Sequence, residues 1–168
     1  KLIKKQIACV WLDGDQLREI FHQTNQFDRS SRLELGKIYG KLCKVLSSQG
    51  ISVVISTISL FKEVHQWNRD NIARYYEIFI DIPLTELQSR DPKGIYKLYR
   101  EGEIKGISGL DINVDFPKNP DFIVDLELQK NNAELANEIS KKNLTKILFE
   151  IACTVEKLYI CGNFFFRT

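Results

Sequence analysis

Asp13-Gly14-Asp15 follows an unbroken apolar run, residues 7–12 (IACVWL). Two carboxylates just past a buried strand could hold Mg²⁺ through water, or one could take a proton from an attacking hydroxyl. An Asp-Gly pair is also an ordinary strand-end turn. Arg18 lies three residues on, so a helical turn brings it over Asp15, either as a partner charge or as a solvated surface charge. Arg29 and Arg32 open a later helix, where positive charge opposes the helix dipole. An anion between them would remove that cost, and a plain surface role suits them equally. The most specific stretch is RDPKGIYK from Arg90, then GEIKG from Gly102 and GLD from Gly109. Glycines spaced among lysines make a cationic flap that could close over phosphates and exclude water from a phosphoryl transfer. The plainer reading is a solvated charged loop.

The elements that must position these residues alternate in period. Apolar runs at 7–12, 51–56 (ISVVIS), 77–82 (EIFIDI) and 122–126 (FIVDL) read as buried strands. Between them, residues 16–21 are helix-compatible. Residues 31–49 carry Leu35, Ile38, Leu42, Val45 and Leu46 at helical spacing before the stop at Gly50. Residues 60–74 and 84–89 are further helices, the former with Phe61, Val64, Trp67 and Ile72 inward. Residues 91–120 hold four glycines and three prolines among charges, the texture of a lid with little apolar burial. Residues 132–154 read as the last helix, and 155–168 as an apolar tail without assignment. Strands alternating with helices predict an α/β fold, a parallel sheet flanked by helices. Its ligand site lies beyond the carboxyl ends of the strands, at Asp13–Asp15, residues 56–59, the end of the third strand and the lid.

The 168 residues suit one domain, with a formal net charge of only +2. That balance argues against a broad nucleic-acid surface. No apolar run approaches the roughly 20 residues that span a bilayer, and no secretory pattern opens the chain. Cys9, Cys43, Cys153 and Cys161 form no CxxC pair and read as small buried hydrophobes in a reducing cytosol. His22 and His65 are isolated, so each reads as a surface or edge residue rather than a ligand or base. There is no methionine, and Lys1-Leu2-Ile3-Lys4-Lys5 reads as the last turn of a helix. The chain is therefore expected to be a fragment of something longer.

The run RDPKGIYKLYREGEIKGISGLD, residues 90–111, resembles the signature lid of the adenylylsulfate kinase family. The likeness extends to LDGDQLR at 12–18, to Phe27 and Arg32, and to ISTIS at 55–59. It implies a P-loop kinase fold over residues 1–154, with a lid at about 91–120. The family transfers the γ-phosphate of MgATP to the 3′-hydroxyl of adenosine 5′-phosphosulfate, in the cytoplasm and as a homodimer. Carried over, Asp15 would be the carboxylate near the acceptor hydroxyl and Mg²⁺. Asp13, Arg18 and Arg32 would serve the acceptor, and Phe27 would be one of two aromatic plates around its base. Ser59 matches a serine sometimes assigned as a phosphoserine intermediate. Direct transfer is preferred here, because in-line attack needs only positioning and charge stabilisation. Arg90, Lys93 and Lys105 would serve ATP and acceptor phosphates. ATP and a nucleotide acceptor are the implied partners, with no nucleic acid and no membrane.

The departures fall mainly on the acceptor side. Ile107 stands at the second aromatic plate, Leu35 replaces an asparagine, and Leu60-Phe61-Lys62 replaces the family's Pro-Tyr-Arg. The run ISLFKEVHQWNR at 58–69 is similar to relatives found with bacterial capsule genes. One activity there is phosphorylation of cytidine diphosphoramidate, whose smaller base would tolerate one plate. A degenerate fold that only binds a nucleotide or a partner is the alternative of another class. No G-x-x-x-x-G-K-[ST] occurs in the 168 residues. On this reading the strand and phosphate loop at the N-terminal end of the fold are missing. Residues 1–168 alone would then not turn over ATP, and the sheet would expose apolar edges.

Overall fold

The computed structural model describes residues 8–22, 27–125, 134 and 148–153. Its frame is a sheet of five parallel strands: β1 (Cys9–Asp13), β2 (Ser52–Thr57), β3 (Tyr75–Asp81), β4 (Phe122–Asp125) and β5 (Leu148–Cys153), in the order β1-β2-β5-β3-β4. Interleaved with them among the described residues are the helices α1 (Gly14–Ile20), α2 (Arg29–Ser48), α3 (Lys62–Asn71), α4 (Leu84–Arg90) and α5 (Ile95–Arg100). The expected parallel sheet flanked by helices is present. Each strand read from the sequence lies within two residues of its expected bounds, except that Leu126 and Ile7 fall outside the described residues.

The central strand differs from expectation. β5 runs parallel between β2 and β3, pairing Val54 with Phe149 on one side and Ile78 with Ile151 on the other. The sequence pattern extended a helix from 132 to 154. Within the described residues Glu134 is helical, but 148–153 are strand. The run LFEIAC is apolar enough for a helix face or a buried strand, and backbone pairing on both sides decides between them. β5 thus holds the place between β2 and β3. The helical turn expected at 1–5 and the tail at 155–168 lie outside the described residues.

β2 is buried at all six positions because layers cover both its faces. Val53 and Ile55 pack with Leu17, Leu35, Tyr39 and Cys43 beneath α1 and α2. Val54 packs on the other face with Ile78, Ile80, Leu87, Tyr96 and Ile107. Burying each such aliphatic side chain contributes about 1.5–3 kcal/mol. The buried stripe of α2 is Leu35, Gly36, Tyr39, Gly40 and Cys43, while Val45 is exposed. The glycines explain this shift from the sequence pattern. A Cβ at Gly40 would overlap Asn68 Oδ1 and touch the Trp67 ring of α3, so the two helices approach closely only because position 40 has none.

Candidate functional site

β1 and β2 deliver their carboxyl ends side by side, with Asp13 in register with Ser56. Beyond them opens a cavity of about 620 Å³, walled by α1, the start of α2, the end of β2 and the lid.

Asp13 and Asp15 divide the two roles open to them. Asp13 is 3% exposed, and its carboxylate accepts from the backbone N–H of Asp15 at 2.9 Å and of Gln16 at 3.2 Å. Ser56 Oγ donates to its other oxygen at 3.3 Å. Asp13 is thus the N-cap that starts α1, and it is not among the residues lining the cavity. Asp15 sits on the first turn of α1 and lines the cavity, its side chain 47% exposed. Lys93 Nζ of the lid donates to Asp15 Oδ2 at 3.2 Å.

Phe27 lies at the cavity with two guanidiniums over its ring, Arg18 at 5.1 Å and Arg32 at 5.5 Å from the centroid. Arg32 also donates to Phe27 O at 2.8 Å and Gly106 O at 2.7 Å, tying the start of α2 to the lid. Burial, then the like charge of Arg18, pushes Arg32 down to about 10, so it stays charged at neutral pH at some cost. An anion placed between Arg18 and Arg32 would relieve that cost. Arg29 has a different task. It pairs with Asp115 at 3.2 Å and Glu63 at 3.7 Å and lies over the Phe61 ring, a structural tie away from the cavity lining. The helix start it shares with Arg32 is compensated by Asp28, whose carboxylate accepts from Ser31 N and from the hydroxyls of Ser30 and Ser31. The Ser30 hydroxyl, then that of Ser31, holds the Asp28 carboxyl well below the usual carboxylate range.

The lid is better anchored than its composition suggests. Asp91 accepts from Tyr96 N and Lys97 N and so starts α5. Tyr96, Ile107 and Ile112 are buried, the first two within the main core. Asp111 accepts from Gly106 N at 2.7 Å and Ile107 N at 2.6 Å, fixing the turn that carries Ile107 into the cavity wall. Burial works against the Asp111 charge, but these N–H groups and Arg32 outweigh it and hold its carboxyl below the ordinary value. Gly106 has φ +83°, and a Cβ there would meet the backbone and Cβ of Phe27. The expectation of little apolar burial holds for the lid's exposed residues, among them Lys93, Lys97, Glu101–Glu103, Lys105, Phe116 and Lys118. Lys105 lines the cavity, whereas Arg90 does not: its Nε donates to Glu86 at 2.7 Å on α4.

Ser59 lines the cavity at 4% exposure with no partner for its hydroxyl. Its backbone oxygen lies 2.5 Å from His65 Nε2. His65 is 8% exposed and faces Glu77, which corrects its reading as a surface or edge residue. The pattern HQWNR gave no hint of this, because His65 is carried inward with Val64 and Asn68 by the turn of α3. Sequence reasoning also missed Tyr39, whose buried hydroxyl donates to Gly14 O at 2.9 Å, and the hydroxyls of Thr57 and Ser108. Both of the latter are buried, line the cavity and lack partners. An unmet buried hydroxyl costs about 1–3 kcal/mol.

Among the described residues no group of three or more His, Cys, Asp or Glu could hold a metal ion. Asp15 alone at the mouth suits Mg²⁺, which is commonly held by one or two carboxylates with waters and substrate phosphates. No helix among the described residues is long and apolar enough to cross a membrane.

The family model for adenylylsulphate kinase matches residues 1–125. The cytidine diphosphoramidate kinase of Campylobacter jejuni is 37% identical over 142 residues, covering 84% of this chain and 82% of that protein. The adenylyl-sulfate kinase of Clostridium kluyveri is 32% identical over 151 residues, covering 87% and 69%. The structure of the Mycobacterium tuberculosis APS kinase CysC in complex with AMPPNP and APS superposes with a TM-score of 0.75 at 31% identity, over 83% of this chain and 82% of that one.

Proposed function

The chain belongs to the adenylylsulphate kinase family and has its P-loop kinase fold, and from that premise we propose that the protein carrying it transfers the γ-phosphate of ATP to the 3′-hydroxyl of a nucleotide, with adenylyl sulfate as first acceptor. The observation that carries this is the meeting of Asp15, Arg18, Arg32 and Lys93 around one cavity. Asp15 would accept the proton of the attacking hydroxyl. The hydroxyl oxygen then forms the new bond to the γ-phosphorus as the bond to the β–γ bridging oxygen breaks, and ADP leaves with that electron pair. Arg18 and Arg32, two cations held at one aromatic ring, suit the charged 5′ group of the acceptor. Lys93 and Lys105 approach from the lid and suit ATP or acceptor phosphates. Mg²⁺ would be held at Asp15 and would neutralise phosphate charge. Ser59, buried below the mouth, stands as a positioning hydroxyl, and a direct transfer asks no more of it.

Cytidine diphosphoramidate is the second reading, and Ile107 favours it. Ile107 is an aliphatic core residue at 4% exposure in the wall that faces the acceptor, which suits a smaller base. The 37% identical relative carries that substrate in its name. The test is turnover of ATP by the protein carrying this chain, with each acceptor in turn. Product from adenylyl sulfate at the higher kcat/KM supports the first reading, and preference for cytidine diphosphoramidate moves the assignment to the second. Turnover with neither removes both.

A further inference from the structure

Four serine or threonine hydroxyls among the described residues are buried without a partner, and three of them, Thr57, Ser59 and Ser108, line the same cavity. The neighbouring Ser56 shows that this strand can satisfy a buried hydroxyl. Its Oγ accepts from Trp11 Nε1 at 3.3 Å and donates to Asp13 at 3.3 Å, away from the cavity. Thr57, one residue on and therefore on the opposite face of the strand, receives no such help. It is 3% exposed, and Ser108 is 4% exposed. Buried polar groups in native structures are nearly always paired, so a cluster of unmet ones on one cavity points to a missing ligand.

We propose that Thr57 and Ser108 determine acceptor specificity by hydrogen-bonding the uncharged edge of the acceptor's base. The surroundings select that chemistry. Ile58 and Ile107 flank these hydroxyls in the chain and line the same cavity, giving an apolar floor where a charged group would lose its hydration. The charged groups Asp15 and Lys93 stand at the half-exposed mouth instead. A hydroxyl both donates and accepts, so it can meet the amino, carbonyl and ring-nitrogen groups of a heterocycle alike. A base seated there leaves the phosphate end of the nucleotide toward Arg18 and Asp15.

This inference rests on the nucleotide-kinase reading, and the experiment separates the two. Thr57→Val, Ser108→Ala and the double variant are compared with the wild type by calorimetry. The probes are adenosine 5′-phosphosulfate, CDP, the ATP analogue AMPPNP and ribose 5-phosphate as a base-free control, and thermal midpoints are measured without ligand. Each single variant is expected to weaken the preferred acceptor about five- to tenfold. AMPPNP and ribose 5-phosphate should bind as before, and the midpoints should hold or rise, because an unmet hydroxyl has been removed. Unchanged acceptor affinity, or a midpoint that falls while affinity holds, would overturn the inference and leave the kinase reading standing. Equal loss for ribose 5-phosphate would assign the hydroxyls to the sugar and overturn the base assignment. A wild-type protein that binds no nucleotide would overturn the kinase reading and this inference with it.

Discussion

The floor and the mouth of the cavity obey opposite physics. The floor is made by the end of β2 and the turn at Ile107 and Ser108, each residue at most 4% exposed apart from Ile58. It is uncharged, and its shape is fixed by core packing. The mouth is made by Asp15, Arg18, Lys93 and Lys105, charged side chains at half-buried or exposed positions. The same residue type serves both regions. Asp13 spends its carboxylate on backbone N–H groups and sets where α1 begins, while Asp15, two residues later, keeps its carboxylate at the mouth. The floor should therefore answer to mutation through stability and selectivity, and the mouth through turnover.

The sharpest test is at the mouth. Asp15→Asn keeps the shape and removes the charge that takes the proton, and turnover should fall about 10²-fold or more with the thermal midpoint nearly unchanged. Wild-type turnover in the folded variant would falsify the assignment of Asp15. The floor should behave in reverse. Ile107→Ala empties a core position and should cost about 2–5 kcal/mol in urea unfolding. A loss below about 0.5 kcal/mol would mean that the turn is not anchored as the packing implies. Lys93→Ala comes third. The Lys93–Asp15 pair is half exposed, so its loss should move stability by less than about 1 kcal/mol. KM for ATP or acceptor should rise several-fold, and steady-state kinetics would show whether it does.

Much of this division was legible in the sequence, for physical reasons. β2 announces itself because a strand buried on both faces is largely apolar along its length, and β1 and β3 because their apolar runs are nearly as long. Asp15, Arg18, Phe27, Arg32 and Lys93 could be placed together because the resemblance supplied what spacing alone left open. The rest depended on contacts far apart in the chain. β5 reads equally as helix until β2 and β3 offer it partners on both sides. The lid reads as loose because its apolar residues, Tyr96 and Ile107 among them, come in short groups between charges and glycines, with no sustained period to mark them. Their burial comes from Ile78, Ile80 and Val124, which lie elsewhere in the chain. The Thr57 and Ser108 hydroxyls look like any others until the residues around them are seen to offer no partner.

The smallest expected effect concerns the carboxylates that only hold backbone. Asp28 caps α2, and its hydroxyl and N–H donors keep its carboxyl below the ordinary value of 3.8. A carboxyl depressed in the folded state contributes stability that is present above the unfolded value and lost as pH falls below it toward the folded value. Asp28→Asn keeps an acceptable N-cap but cannot titrate. At neutral pH the variant should be modestly less stable than the wild type, because the charged form also meets the positive end of α2. Below about pH 3.8 the unfolded chain's Asp28 takes up its proton while the folded carboxyl stays ionised, and the gap should narrow. Asp111, held low by Gly106, Ile107 and Arg32, changes in the same direction in both proteins and cancels in the comparison. Urea midpoints for the pair between pH 7 and pH 3 would read the gap directly. A gap of constant size across that range would mean that shape alone, and no charge, makes Asp28 the cap. The start of α2 would then owe nothing to electrostatics, and the contrast between a fixed framework and a charged mouth would lose one of its supports.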